Sequence, residues 1–359
     1  MDAAKTQKNY FRGCLVGGAC GDAMGYPVED MSWNQIRSEY GAHGITRLPI
    51  HEERKEALFS DDTQMNIMTV DGLLWADKKA KERGIYAYTS SLFYCYQKWL
   101  YTQTGKFADK NYEFLLGGEI LENKELFARR TPDKVNISTL EDCINGKYGT
   151  LKKPLNQNPG TGAVMRAAPI GLYFYNDIKM AFRIGAESAA ITHGHPDAYL
   201  PAGFLAALIS QLIRGKDLEA AIVRCMKELE SWPEHETTRD LIEKARSLAA
   251  QMNRTGDLLN DSELEMANRI DLAAIGSGET GSEAIALAIY CALRYSQNFE
   301  QAILLAVNQG GNSDTVAAIC GAILGTYLGL DEIPYAWVNR IECSILLVHG
   351  ADKLRESVL

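Results

Sequence analysis

Two short stretches carry the residue types needed for cation chemistry. Ser60-Asp61-Asp62-Thr63 sets consecutive oxygen donors directly before Gln64 to Ala76, a run of helical periodicity. Mg²⁺ takes carboxylate and hydroxyl oxygens and keeps several waters, so such a stretch can supply half of a cation site. The same residues also suit a plain helix start, because Ser60 is a favoured N-cap and first-turn aspartates favour the helix dipole. Far along the chain, Gly310-Gly311-Asn312-Ser313-Asp314-Thr315 repeats the pattern, with glycines that allow a sharp turn and close approach to a ligand. A cap explains either stretch alone, and only the fold decides whether they meet.

Between them lie weaker signals. Asn158-Pro159-Gly160-Thr161-Gly162 leads through Ala163-Val164-Met165 to Arg166, and backbone amides in such a loop can cradle a phosphate. It lacks the GxxxxGK[ST] pattern and follows no strand, so it is neither a P-loop nor a dinucleotide fingerprint. His193-Gly194-His195-Pro196-Asp197 has no further Cys or His at a spacing that would complete a zinc site. His193 is therefore read as positioning a substrate or filling a helix end. Gly276-Ser277-Gly278-Glu279-Thr280-Gly281 reads as a flexible entry into a helix from Ser282. Glu29 closes Gly21 to Glu29 and is either an acid or base facing a cleft or an exposed loop glutamate. A GxSxG nucleophile elbow is missing, so covalent acyl chemistry has little support.

Helices must position these residues. Apolar residues recur at helical spacing in Gln64 to Ala76, Ser90 to Leu100, Met180 to Ala190, Tyr199 to Arg214, Leu218 to Leu229, Thr238 to Gln251, Ser282 to Ser296 and Phe299 to Val307. Prolines 132, 154, 159, 169, 196 and 233 fall between such segments, and the fold class expected is all-α. Gly13, Gly17, Gly21 and Gly25, like Ala317, Gly321, Gly325 and Gly329, recur every fourth residue. On a helix each set forms a ridge without side chains, which lets a second backbone come close. The two ends of the chain should meet at the centre of one compact multi-helix bundle, a single domain over residues 1–359. Residues 122–158 read as long loops with at most short helices.

Composition bounds the partners. A formal net charge of -9 provides no basic field for nucleic acid or an anionic membrane. The eight cysteines are scattered without framework spacing and read as buried thiols of a cytoplasmic protein. Met1 to Tyr10 lacks the apolar core of a secretory signal, and the apolar run Val316 to Leu330 is too short to cross a bilayer. Neither export nor insertion is expected.

Taken in order, GDAMGYPVE (21–29), SDDTQM (60–65), GTGAVMRAAPIG (160–171), ITHGHP (191–196) and GGNSDTVAAICGAILG (310–325) resemble the ADP-ribosylglycohydrolase family. The resemblance implies an all-α fold with two Mg²⁺ ions, exchanged for Mn²⁺ in some members. It implies metal ligation by Ser60, Asp61 and Asp62 on one side and by Asn312, Asp314 and Thr315 on the other. Glu29 falls on a glutamate over the metals that acts in acid/base work or in gating. Asn158, Pro159, Gly160, Thr161 and Gly162 fall where members hold pyrophosphate and ribose, and His193 on a ligand-contacting histidine. Catalysis is thereby expected from Glu29, Asp61, Asp62 and Asp314. Asn312 departs from the family, which has aspartate there, and removes one formal negative charge from the second metal position.

The implied activity is hydrolysis of ADP-ribose from a modified protein side chain, arginine above all, reversing an ADP-ribosyltransferase. Serine-linked or nucleic-acid-linked ADP-ribose is the alternative linkage. An ADP-ribose-binding or toxin-neutralising protein of the same fold, with hydrolysis lost, is the competing reading that Asn312 motivates. Cleavage at the ribose passes through an oxocarbenium-like state, so the site must hold the ribose, activate water and protonate the leaving group.

Overall fold

Helical periodicity becomes helix over most of the chain. A computed structural model describes residues 3–359. In chain order the helices are α1 (Ala3–Gly25), α2 (Trp33–Tyr40), α3 (Asp61–Arg83), α4 (Tyr88–Thr104), α5 (Lys134–Asp142), α6 (Ala168–Tyr173), α7 (Ile178–Ala190) and α8 (Pro196–Leu212). They continue as α9 (Leu218–Leu229), α10 (Glu236–Thr255), α11 (Asp261–Ile275), α12 (Gly281–Arg294), α13 (Phe299–Val307), α14 (Ser313–Leu328), α15 (Tyr335–Val338) and α16 (Ser344–Ser357). Among the described residues extended pairing is confined to isolated bridges, so the fold is all-α as expected.

Local chemistry explains the boundaries. Ser60 caps α3, and Gly84 and Gly105 end α3 and α4 in the left-handed conformation, at φ 65° and 74°, that glycine adopts without a steric cost. α9 and α13 coincide with the periodic segments, while α3 and α10 run further because their ends are polar but favourable to helix. The helices α2, α11 and α16 lie outside the segments whose periodicity reads as helical. Pro201 sits inside α8, near its start, and leaves the carbonyl of Asp197 without its helical partner. Residues 122–158 hold α5, a short 3-10 helix at Lys124–Phe127 and otherwise loops and turns, in line with the expectation of long loops with at most short helices.

The glycine ridges meet. A Cβ on Gly13, Gly17 or Gly21 would overlap the carbonyl oxygen of Gly325, Gly321 or Ala317 respectively, so α1 and α14 cross antiparallel with backbones touching. Gly25 continues the ridge onto the backbone of Asp314. Gly329 departs from the expected ridge: it lies past the end of α14, at φ 95°, where it closes the helix against Asn9. Around this pair α3, α8, α12, α13 and α16 complete one contiguous apolar core. All eight cysteines are unpaired, and all but Cys343 are buried. No helix among the described residues is long and apolar enough to cross a membrane.

Candidate active site

α1 is the post that joins the two acidic stretches. Gly25, near its end, gives room for the start of α14, and Asp22, one turn earlier, reaches the start of α3. The Asp22 carboxylate, fully buried, accepts from the Ser60 amide at 2.9 Å, the Thr63 amide at 2.9 Å and the Thr63 hydroxyl at 2.5 Å. Ser60 Oγ in turn accepts from the Asp62 amide at 3.2 Å, so the capping role is real. Asp62 comes up against Asp314 and Thr315, while the Asp61 carboxylate accepts the Asp133 amide at 3.0 Å. The stretches 60–63 and 312–315 therefore do meet.

The result is a buried concentration of carboxylates. Burial, first of all, holds Asp61, Asp62 and Asp314 well above the usual carboxylate range, and their mutual charge together with Asp22 and Glu29 adds to it. Glu29 follows a short 3-10 turn, Tyr26–Val28, and is pushed up to about 7 by burial and by neighbouring Asp30, Asp22 and Asp133, against a hydrogen bond from Thr131. The Glu29 segment is pinned to the second acidic stretch, because the Asp30 amide donates to the Gly311 carbonyl at 3.1 Å.

Several buried polar atoms here lack partners: Asp62 Oδ2, Asn312 Oδ1 and Ser313 Oγ. Buried oxygens left unpaired are costly, and clustered carboxylates more so, unless a proton or cation compensates them. The donor set consists wholly of hard oxygens, which suits Mg²⁺ or Mn²⁺. Among the described residues no three His, Cys, Asp or Glu side chains are drawn together as a ready-made cage, so a cation here would also draw on Ser60, Asn312, Thr315 and water. With that qualification the residues present fit a divalent cation.

The Asn158–Gly162 loop borders the same cleft, but not as a set of free amides. Asn158 Oδ1 already accepts from the Gly160 amide at 2.8 Å, and an added Cβ on Gly162 would meet Asp133. Thr161 accepts a hydrogen bond from Asn312 Nδ2 at 3.0 Å. Pro159 receives the Gly281 amide through its carbonyl at 2.9 Å. The expected flexible entry at 276–281 is instead ordered: Glu283 accepts from the Gly278 and Glu279 amides at 3.2 and 3.1 Å, which ties the glycines down. Glu279 and Thr280 thus join Glu29, Asp30, Asp133, Lys134 and the loop in lining a cleft of about 710 Å³.

His193 is fully buried behind the loop, and burial, then Arg166, lowers its pKa to about 3. Arg166 donates to Thr192 Oγ1 at 2.8 Å, and Thr192 Oγ1 stands 2.9 Å from His193 Nδ1. His193 Nε2 is buried without a partner and 3.7 Å from Asp133 Oδ1.

An ADP-ribosylglycohydrolase family model matches residues 3–358. The chain belongs to that family. It is 24% identical to ADP-ribosylhydrolase ARH3 of Homo sapiens over 92% of this chain and 89% of that protein. It is 22% identical to ADP-ribosylarginine hydrolase Tri1 of Serratia proteamaculans over 92% of this chain and 74% of that protein. A solved structure described as an ADP-ribosylglycohydrolase-related protein complex shares the fold, with a TM-score of 0.63 and 22% identity over 99% of this chain and 100% of that one.

Residues that received no role from the sequence occupy this site. Asp22 lies inside the motif 21–29, where a carboxylate beside a bare glycine ridge was the available signal. Arg166 ends the loop motif and braces it: its guanidinium donates to Asn136 Oδ1 at 2.9 Å, and Asn136 Nδ2 to the Gly162 carbonyl at 2.8 Å. Asp133 gives its amide to Asp61 Oδ2 at 3.0 Å, and nothing in its neighbourhood in sequence announces it.

Proposed function

We propose that this ADP-ribosylglycohydrolase removes mono-ADP-ribose from arginine side chains with Mg²⁺ bound at the acidic cluster. Carrying the reading is the cleft lining, in which Glu29, Asp30, Asp133 and Glu279 stand against a single lysine, Lys134. A guanidinium leaving group, cationic once protonated, suits such a field, whereas a neutral serine hydroxyl gains nothing from it. The likeness to a protein named ADP-ribosylarginine hydrolase supports the same linkage.

Ser60, Asp61 and Asp62 would hold the cation from one side, with Asn312, Asp314 and Thr315 from the other. When bound, Mg²⁺ supplies charge compensation and Lewis acidity beside the ribose. The chain's own residues do the rest. Thr161 and the loop at 158–162 would hold the pyrophosphate side, with His193 buried behind that loop. Glu29, with a pKa of about 7, is matched to taking a proton from the attacking water near neutral pH. The water oxygen bonds to the anomeric carbon as the C–N bond to arginine breaks. Its bonding pair stays on the guanidine nitrogen, which receives the proton from Glu29, leaving ADP-ribose and free arginine side chain.

Incubation with Mg²⁺ and arginine-, serine- and nucleic-acid-linked ADP-ribose tests this. Release from the arginine conjugate alone is expected. Faster release from another conjugate reassigns the linkage, and tight ADP-ribose binding in calorimetry without release from any conjugate leaves a binding protein.

A further inference from the structure

Outside the cluster, the molecule holds one fully buried glutamate with an unusual set of partners. Glu342 is 0% exposed and Arg130 is 7% exposed. Arg130 Nη1 meets Glu342 Oε1, and Nη2 donates to Oε2 at 3.0 Å. A buried ion pair gains little net stability, since desolvation of both charges offsets their attraction. Its effect must be sought in what else it holds.

The pair grips the residue that leads into Ser60. Arg130 Nη1 donates to the Phe59 carbonyl at 2.9 Å, and Glu342 Oε1 accepts the Phe59 amide at 3.0 Å. Both backbone polar groups of Phe59 are therefore bound to one ion pair. Glu342 is itself tied to the incoming strand of chain: its amide donates to the Ala57 carbonyl at 3.0 Å, and the Ala57 amide donates to the Arg340 carbonyl at 2.7 Å. A second guanidinium, Arg54, stands 3.7 Å from Glu342 Oε2.

Arg130 has a further connection, through its own backbone. The segment runs on through Thr131, which hydrogen-bonds Glu29, to Asp133, whose amide donates to Asp61 Oδ2. Gln64, on the first turns of α3, donates back to the Ala128 carbonyl at 2.8 Å. Three segments far apart in sequence, 57–60, 128–133 and 340–343, thus converge on two side chains.

We propose that Arg130 and Glu342 form a positioning pair, which sets the spacing between the Ser60-Asp61-Asp62 donors and the Thr131–Asp133 segment that covers them. This rests on the reading of the acidic cluster as a cation site. Neither residue touches substrate or cation. The pair acts through Phe59 on one side and through the backbone after Arg130 on the other. Replacing both by apolar residues removes two buried charges together, whereas removing one strands the other; the double replacement also leaves the Phe59 amide and carbonyl without partners.

The test compares Arg130→Met/Glu342→Leu and Arg130→Lys with the parent, each as the full chain. Arg130→Lys keeps the charge but cannot reach both carboxylate oxygens and the Phe59 carbonyl at once. Mn²⁺ affinity is read from the free-ion signal in electron paramagnetic resonance, beside thermal melts and ADP-ribose calorimetry. The double variant should melt below the parent, because Phe59 loses both backbone partners, and bind Mn²⁺ about tenfold more weakly, with Arg130→Lys falling between. A merely structural pair would change the melt and leave the affinity alone. Mn²⁺ affinity within twofold of the parent in either folded variant overturns the proposal. If the double variant does not fold, Arg130→Lys decides alone. If the parent binds no Mn²⁺, the cation reading fails, and the positioning role is then judged by ADP-ribose affinity, with an unchanged value overturning it.

Discussion

The side-chain amide of Asn312 donates to the Thr161 hydroxyl at 3.0 Å, while its own carbonyl oxygen stays buried without a partner. One residue thereby links the loop at 158–162 to the acidic cluster. Aspartate at this position could not donate to Thr161 and would bring a further negative charge beside Asp62 and Asp314. Asn312→Asp should lower the Mg²⁺ concentration needed for half-maximal activity, because hard cations are tuned by ligand charge. Without metal it should cost about 1–3 kcal/mol, the range for a buried group left uncompensated. Activity titrations and melts with and without Mg²⁺ check both halves. No change in either would place Asn312 outside the site.

Glu29→Gln separates chemistry from folding. The amide keeps the size of the side chain and its contact with Thr131 but cannot carry a proton. Turnover should fall roughly 10²-fold or more, as for a positioned acid/base group, with the melting temperature held or raised. Unchanged turnover would remove Glu29 from the mechanism.

The metal-free protein should lose stability as pH rises. Glu29 has a folded pKa of about 7 against an ordinary 4.5, and Asp61, Asp62 and Asp314 shift in the same direction. The folded chain therefore holds protons that the unfolded chain has released, and stability falls across the window from about 4.5 to 7 as they leave. A divalent cation held by the cluster, as proposed, would replace those protons. The rise in melting temperature on adding Mg²⁺ should grow between pH 5 and pH 8, as melts in matched buffers would register. A rise independent of pH would show the cation binding elsewhere.

The crossing of α1 and α14 predicts opposite outcomes at adjacent kinds of glycine. A Cβ on Gly321 would overlap the Gly17 carbonyl, and neither backbone can retreat. Gly321→Ala should cost about 1–3 kcal/mol, the usual penalty of overpacking. At Gly18 the nearest atom to a new Cβ is 3.4 Å away, an ordinary contact. Gly18→Ala should be neutral or stabilise by up to about 1 kcal/mol through helix propensity. Urea unfolding of the two variants decides, and equal effects would contradict the close crossing.

The amino-acid sequence by itself determined the all-α class, most long helices and the close pairing of the two glycine ridges. These depend on periodicity and residue size, which are properties of short stretches. It also carried the family, through motifs in order, and brought forward Ser60, Asp61, Asp62, Asn312, Asp314 and Glu29 as residues to watch. Only the tertiary structure decided that α1 sets Asp22 beneath Ser60 and Thr63, that Glu283 orders the glycines at 276–281, and that Arg166 braces the loop and Thr192 beside His193. It alone joined Arg130 to Glu342. Apart from Glu283, which acts on residues just before its own helix, these contacts link residues far apart in sequence, and neither residue type nor spacing records which side chain a helix crossing will bring within hydrogen-bonding distance.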